Sequence, residues 1–122
     1  MQHSDEFQAL VDDAKSRVRE TTLAAWPGLA AAGALLIDVR EDREWRAGHA
    51  AGARHLGRGV LERDIVGAVP NKGQVLVLYC GGGYRSALAA DNLQKMGYGN
   101  VLSLAGGWKA WVAAGLPTEV DG

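Results

Sequence analysis

Cys80 and Arg85 are the residues best equipped for chemistry. They bracket the loop "CGGGYRS", Cys80 to Ser86, where an apolar run gives way to a helix-forming stretch. Cys80 is the only cysteine among 122 residues, so an intramolecular disulfide is excluded and the thiol is either buried or reactive. Gly81, Gly82 and Gly83 permit backbone conformations closed to other residues and let main-chain N–H groups turn inward. A helix starting near Ser86 adds the partial positive charge of its N-terminus. That field favours a thiolate over a thiol. Arg85 keeps its charge and can fork two hydrogen bonds onto an oxyanion. Tyr84 falls at the crest of the loop, where it can meet an incoming molecule. A lone cysteine is often just a small buried side chain. The glycines, the arginine and the incipient helix point instead to a nucleophilic sulfur beside an anion clamp.

The rest of the chain must hold this loop. "QVLVLYC" (74–80) is β-branched and apolar, and reads as a buried strand leading into the loop. "ALLIDV" (34–39) and "NVLSL" (100–104) are similar runs, too short for helices; "ARHL" (53–56) is a fourth, shorter candidate. Between them, 40–48, 59–69, 86–97 and 106–115 read as helices, and "TTLAAWPGLAAAG" as a short helix interrupted at Pro27–Gly28 and stopped at Gly33. Short buried strands alternating with helices predict an α/β fold, a parallel sheet with helices on both faces, in one domain. Sites in such sheets form at the carboxyl ends of the strands. Cys80, Asp38 with Arg40, and "AGG" (105–107) all stand at such ends. Residues 4–18 carry Phe7, Leu10, Val11, Ala14 and Val18 at helical spacing, so 1–19 is read as an N-terminal helical extension and 20–120 as the domain. The basic residues within 15–19 are read as a solvated helix face.

Composition narrows the function. The net charge of −1 gives no electrostatic case for nucleic acid or an anionic membrane as partner. No apolar run approaches the ~20 residues of a membrane span, and "MQHSDEFQAL" lacks the pattern of a signal peptide. A cytoplasmic setting is the expectation.

Several spaced motifs together resemble the single-domain rhodaneses, a sulfurtransferase family, over about residues 20–118. "LLIDVREDREWRAGHAAGARHL" is similar to that family's Asp-Val-Arg strand end and Gly-His-x-x-Gly-Ala turn. "CGGGYRS" matches its Cys-x-x-Gly-x-Arg-Ser loop at Cys80, Gly83, Arg85 and Ser86, and "LAGGWKAWVAAGLP" its closing Gly-Gly helix. The resemblance implies that loop length tracks substrate size. Cys80 through Arg85 has the sulfurtransferase length, one residue shorter than in the related phosphatases and arsenate reductases. It also implies a persulfide on Cys80, loaded from thiosulfate or a similar small donor and unloaded by a thiophilic acceptor, with no cofactor and no metal. A persulfide carrier or interaction module serving a sulfur-relay protein is the alternative; phosphatase or arsenate reductase chemistry ranks third.

Four further residues are supporting candidates. Asp38 is expected to accept hydrogen bonds from the loop or Arg85, and Arg40 to pair with Glu44 or a backbone carbonyl. Arg58 is a substrate-approach candidate, although Gly57 and Arg63 depart from the proline and aromatic common in the resembled family. Trp108 could cover the flank of the pocket. His49 is read as a structural imidazole, and His3, His49 and His55 lack metal-ligand spacing with Cys80.

Overall fold

The structure is a computed structural model that describes residues 3–120. Its elements are α1 (Asp5–Lys15), β1 (Arg19–Thr21), α2 (Trp26–Ala31), β2 (Leu35–Asp38), α3 (Asp42–Ala47), β3 (His49–Ala50), β4 (Arg54–His55), α4 (Leu61–Ala68), β5 (Leu76–Tyr79), α5 (Tyr84–Lys95), β6 (Val101–Leu104), α6 (Gly107–Ala113) and β7 (Thr118–Glu119). A five-stranded parallel sheet runs β1-β6-β5-β2-β4, and β3 pairs antiparallel with β7 in a small separate sheet.

The central strand explains the layering. All four residues of β5 are buried, and their side chains alternate between the two faces. Leu76 and Leu78 join Ile37, Leu61, Ile65, Ala89, Leu93 and Tyr98 on one face, covered by α4 and α5. Val77 and Tyr79 join Leu36, Leu104 and Trp111 on the other, with Trp26 and Leu29 of α2 packed alongside. Helices therefore cover both faces, as the continuous apolar strands require. Because β2, β5 and β6 are parallel, Asp38, Cys80 and the Ala105–Gly107 turn emerge at the same sheet edge.

Three departures from the sequence reading have local causes. Helix α1 stops at Lys15, and the polar triplet Arg19–Thr21 becomes an edge strand on β6; with two of its three residues exposed, it carries no apolar signature. The basic residues there do stay largely exposed, but Arg17 lies past the end of the helix and makes a two-pronged pair with Asp91 of α5, at 3.0 and 2.8 Å. Pro27 starts α2 instead of interrupting it, because an N–H missing in the first helical turn has no partner to lose.

The N-terminal helix is integral to the described structure. Ser4 caps it by accepting the Phe7 N–H at 3.1 Å. Val11 and Ala14 are buried against α5, and Gln94 of α5 donates to the Arg17 carbonyl.

Candidate active site

The loop after β5 does what three glycines and a following helix allow, with the work divided unevenly. Of the three, only Gly83 takes a positive φ, +100°, which makes it the left-handed N-cap of α5. Its N–H donates to Cys80 Sγ, 3.1 Å away. Gly81 leaves room for Arg85: a Cβ there would sit 3.3 Å from the guanidinium. Helix α5 begins at Tyr84, two residues earlier than its sequence suggests, and so places Arg85 and Ser86 in its first turn. Ser86 Oγ lies 3.5 Å from Sγ and 2.8 Å from Ser103 Oγ on β6.

Cys80 is 1% exposed, yet it lines a cavity of about 400 Å³ together with His3, Phe7, Glu44, Gly81, Gly82, Tyr84, Arg85 and Lys109. The sulfur thus has an N–H donor, a nearby hydroxyl, a helix N-terminus and a route to solvent. Such surroundings offer hydrogen-bond donors to an anion bound at this position.

The turn after β6 fixes the loop from behind. The Trp108 N–H donates to the Cys80 carbonyl at 2.7 Å and the Lys109 N–H to the Gly81 carbonyl at 3.1 Å. The Cys80 and Gly81 carbonyls are therefore spent on α6. Gly107 makes this approach possible: its φ is +51°, and a Cβ would run into the Cys80 carbonyl. Gly107→Ala is expected to cost about 3 kcal/mol, from the left-handed strain plus the clash. Gly28→Ala, in open space at a negative φ within α2, should be neutral or mildly stabilising. Urea unfolding of the two variants checks the contrast.

The charged pairs differ from those expected. Asp38 reaches neither the loop nor Arg85; its carboxylate accepts from the backbone N–H of Arg40 at 2.8 Å, from Nε at 3.1 Å and from Nη2 at 2.7 Å. Arg40 pairs with Asp38 rather than Glu44, and its Nη2 also donates to the Gly48 carbonyl at 2.7 Å. Its guanidinium lies 4.7 Å from the Trp108 ring and 5.6 Å from that of Tyr79. Burial works against the charge of Arg40, but the Asp38 carboxylate outweighs it and holds the arginine above its ordinary pKa. Burial and a hydrogen bond to Asp38 likewise push the Tyr79 phenol up. Asp38, Arg40 and Tyr79 form a buried network under the strand ends, with the partly buried Trp108 packed on it. Trp108 accordingly covers Arg40 and not the Cys80 cavity.

Arg58 also misses that cavity. Its Nη1 donates to the Arg85 carbonyl at 3.3 Å, and it lines a neighbouring space of about 520 Å³ with Arg40, Arg43 and Arg46. His49 is 2% exposed, with Nδ1 3.0 Å from the Trp45 carbonyl and its ring stacked on that indole. Among the described residues no group of three His, Cys, Asp or Glu is placed to hold a metal ion. Nor is any of their helices long and apolar enough to cross a membrane.

Glu44 takes the place at Arg85 that was expected for Asp38. Its oxygens accept from Nη1 at 2.9 Å and Nη2 at 3.1 Å, and it also accepts the Glu41 N–H as half of the capping box of α3. The Arg85 hydrogen bond, aided by that capping bond, pulls the Glu44 carboxyl down to about 2 against the opposing effect of burial. A depressed carboxylate stabilises the fold in full above its unfolded value, 4.5, and loses that contribution as pH falls toward 2. The difference in urea midpoint between the natural protein and Glu44→Gln should therefore be constant from pH 5 to 7 and shrink below pH 4.5. It will be modest, because the pair is about one-third exposed.

Three comparisons bear on this geometry. The family model described as "Rhodanese-like domain" matches residues 22–114. A thiosulfate sulfurtransferase GlpE of Stutzerimonas stutzeri is 35% identical over 90 residues, covering 74% of this chain and 80% of that protein. Two solved structures superpose well. One is a protein of unknown function from Rhodopseudomonas palustris, described as a possible tyrosine phosphatase, with TM-score 0.79, 32% identity and 98% of each chain covered. The other is the polysulfide-sulfur transferase homodimer of Wolinella succinogenes, with TM-score 0.80, 26% identity, 95% of this chain and 88% of that one covered.

Proposed function

The chain belongs to the rhodanese-like domain family, and from that membership we propose a sulfurtransferase that carries sulfane sulfur as a persulfide on Cys80. In the first half-reaction the Cys80 thiolate attacks the outer sulfur of thiosulfate or a similar donor. A Cys80 S–S bond forms, the donor's S–S bond breaks, and its electron pair leaves with sulfite. In the second, a thiophilic acceptor attacks the outer sulfur and returns the electron pair to Cys80 Sγ. No other redox partner is needed.

The observation that carries the reading is the Gly83 N–H directed at Cys80 Sγ from the N-cap of α5. The same dipole that holds a thiolate also holds the anionic end of a persulfide. Ser86 supplies a hydroxyl at the base of this cradle, and Arg85 supports the negative charge of the donor. By the family resemblance, the Cys80–Arg85 loop has the sulfurtransferase length, one residue short of the related phosphatases, which supports sulfur over phosphate.

One feature favours the alternative of a carrier loaded by a sulfur-relay protein. Arg85 is already paired with Glu44, so a dianionic donor has to compete with a resident carboxylate. Steady-state kinetics separate the readings. Parallel double-reciprocal lines with thiosulfate and cyanide, and one sulfite released per sulfur moved, are expected of the enzyme. Loading only from a persulfide-bearing protein would replace it with the carrier.

A further inference from the structure

The wall of the Cys80 cavity is not built by the family segment alone. His3 and Phe7 line it, although the matched segment begins at residue 22. The His3 ring lies 4.4 Å from that of Tyr84 and 5.0 Å from that of Phe7, and Phe7 lies 6.2 Å from Tyr84. Lys15 Nζ sits 5.3 Å from the Tyr84 ring centre. This aromatic wall is anchored by the buried Val11 and Ala14 and by the two-pronged Arg17–Asp91 pair. The same cavity is lined by Arg85, engaged by Glu44, and by Lys109, an exposed cation with no carboxylate partner among the described residues. A volume of about 400 Å³ falls in the range of pockets that bury small organic molecules, far beyond what cyanide occupies.

Resting on the sulfurtransferase reading, we infer that His3 and Phe7 determine acceptor specificity, selecting a small organic thiol with a flat apolar body and a carboxylate. The apolar body stacks against His3, Phe7 and Tyr84, and Lys109 receives the carboxylate. The acceptor thiolate attacks the outer sulfur of the Cys80 persulfide, forming a new S–S bond. The bond to Sγ breaks, its electron pair returns to Cys80, and the acceptor leaves as its own persulfide.

The test uses the full chain with two probes. 4-(Methylthio)benzoate has no thiol and reports binding alone; 4-mercaptobenzoate, compared with cyanide, reports acceptor choice. Binding should move the ring resonances of His3, Phe7 and Tyr84. His3→Ala and Phe7→Leu, which keep α1 intact, should each weaken binding about three- to tenfold, the value of one aromatic contact. The kcat/KM ratio of 4-mercaptobenzoate to cyanide should fall in parallel, whereas Leu10→Ala, on the exposed side of α1, should leave both unchanged. Equal binding by the uncharged 4-(methylthio)benzamide, an unchanged ratio in both ring variants, or resonance shifts confined to other residues would overturn the assignment. Failure of the sulfurtransferase reading shows elsewhere, as absence of a Cys80 persulfide, since binding of the first probe involves no sulfur transfer.

Discussion

Cys80→Ser is expected to lower sulfur transfer by at least about a thousandfold while leaving the fold in place, because losing a covalent nucleophile removes the intermediate itself. Nothing else in the chain can substitute, since Cys80 is its only cysteine. Serine is the informative replacement. Its hydroxyl can still accept the Gly83 N–H that now reaches Sγ at 3.1 Å, and it stays near Ser86 Oγ. Alanine would leave that N–H without its acceptor, at a cost of about 1 kcal/mol, and would mix a folding effect into the kinetic one. Oxygen cannot carry the sulfane sulfur, so the serine variant isolates the chemistry. Turnover of thiosulfate with cyanide, read beside a urea unfolding curve, checks it. Residual turnover above a tenth of the natural rate would place the reaction elsewhere.

The second large effect concerns stability. Arg40→Met should destabilise the protein by about 3–5 kcal/mol, the range for stripping one partner from a buried ion pair. Asp38 is 0% exposed and Arg40 3%. The substitution takes away every side-chain donor that Arg40 offers to Asp38 and also the donor to the Gly48 carbonyl. The carboxylate would keep only the Arg40 backbone N–H and the Tyr79 hydroxyl. Against the ~5–15 kcal/mol of a typical domain, such a loss is severe. The double variant Asp38→Asn/Arg40→Met removes the stranded charge and should recover part of it. Urea midpoints of the single and double variants test this; a single variant within about 1 kcal/mol of the natural protein would mean that the pair contributes little.

The strand-loop-helix unit that carries Cys80 was legible in the sequence because its signals agree. An apolar run, a glycine cluster and a helix-forming stretch succeed one another over Leu76–Lys95. The sheet followed from the same logic, since three short apolar runs can be buried on both sides only between helices. Pairings were less legible. Sequence shows that Asp38, Arg40, Glu44 and Arg85 stand near strand and helix ends, but not which carboxylate each arginine faces. Arg40 lies two residues from Asp38 and folds back on it, while Glu44 projects from α3 across to α5. The structure makes Glu41 and Glu44 of the "EDRE" run the capping box of α3, the one local trace in the sequence of where Glu44 stands. Ser103 also left a trace, as a lone hydroxyl in the apolar β6, and the structure shows it buried against Ser86. His3 and Phe7 left none, because only tertiary packing of α1 on α5 brings them to the cavity. The two-residue strands β3 and β7 are too short for any periodicity to show.

The most direct measurement of the central claim is the intact mass of the protein after incubation with thiosulfate and removal of the excess. The account predicts a gain of one sulfur atom, mapped to Cys80, absent from Cys80→Ser and discharged by cyanide. An unchanged mass with every donor offered, or the same gain in the serine variant, would contradict it.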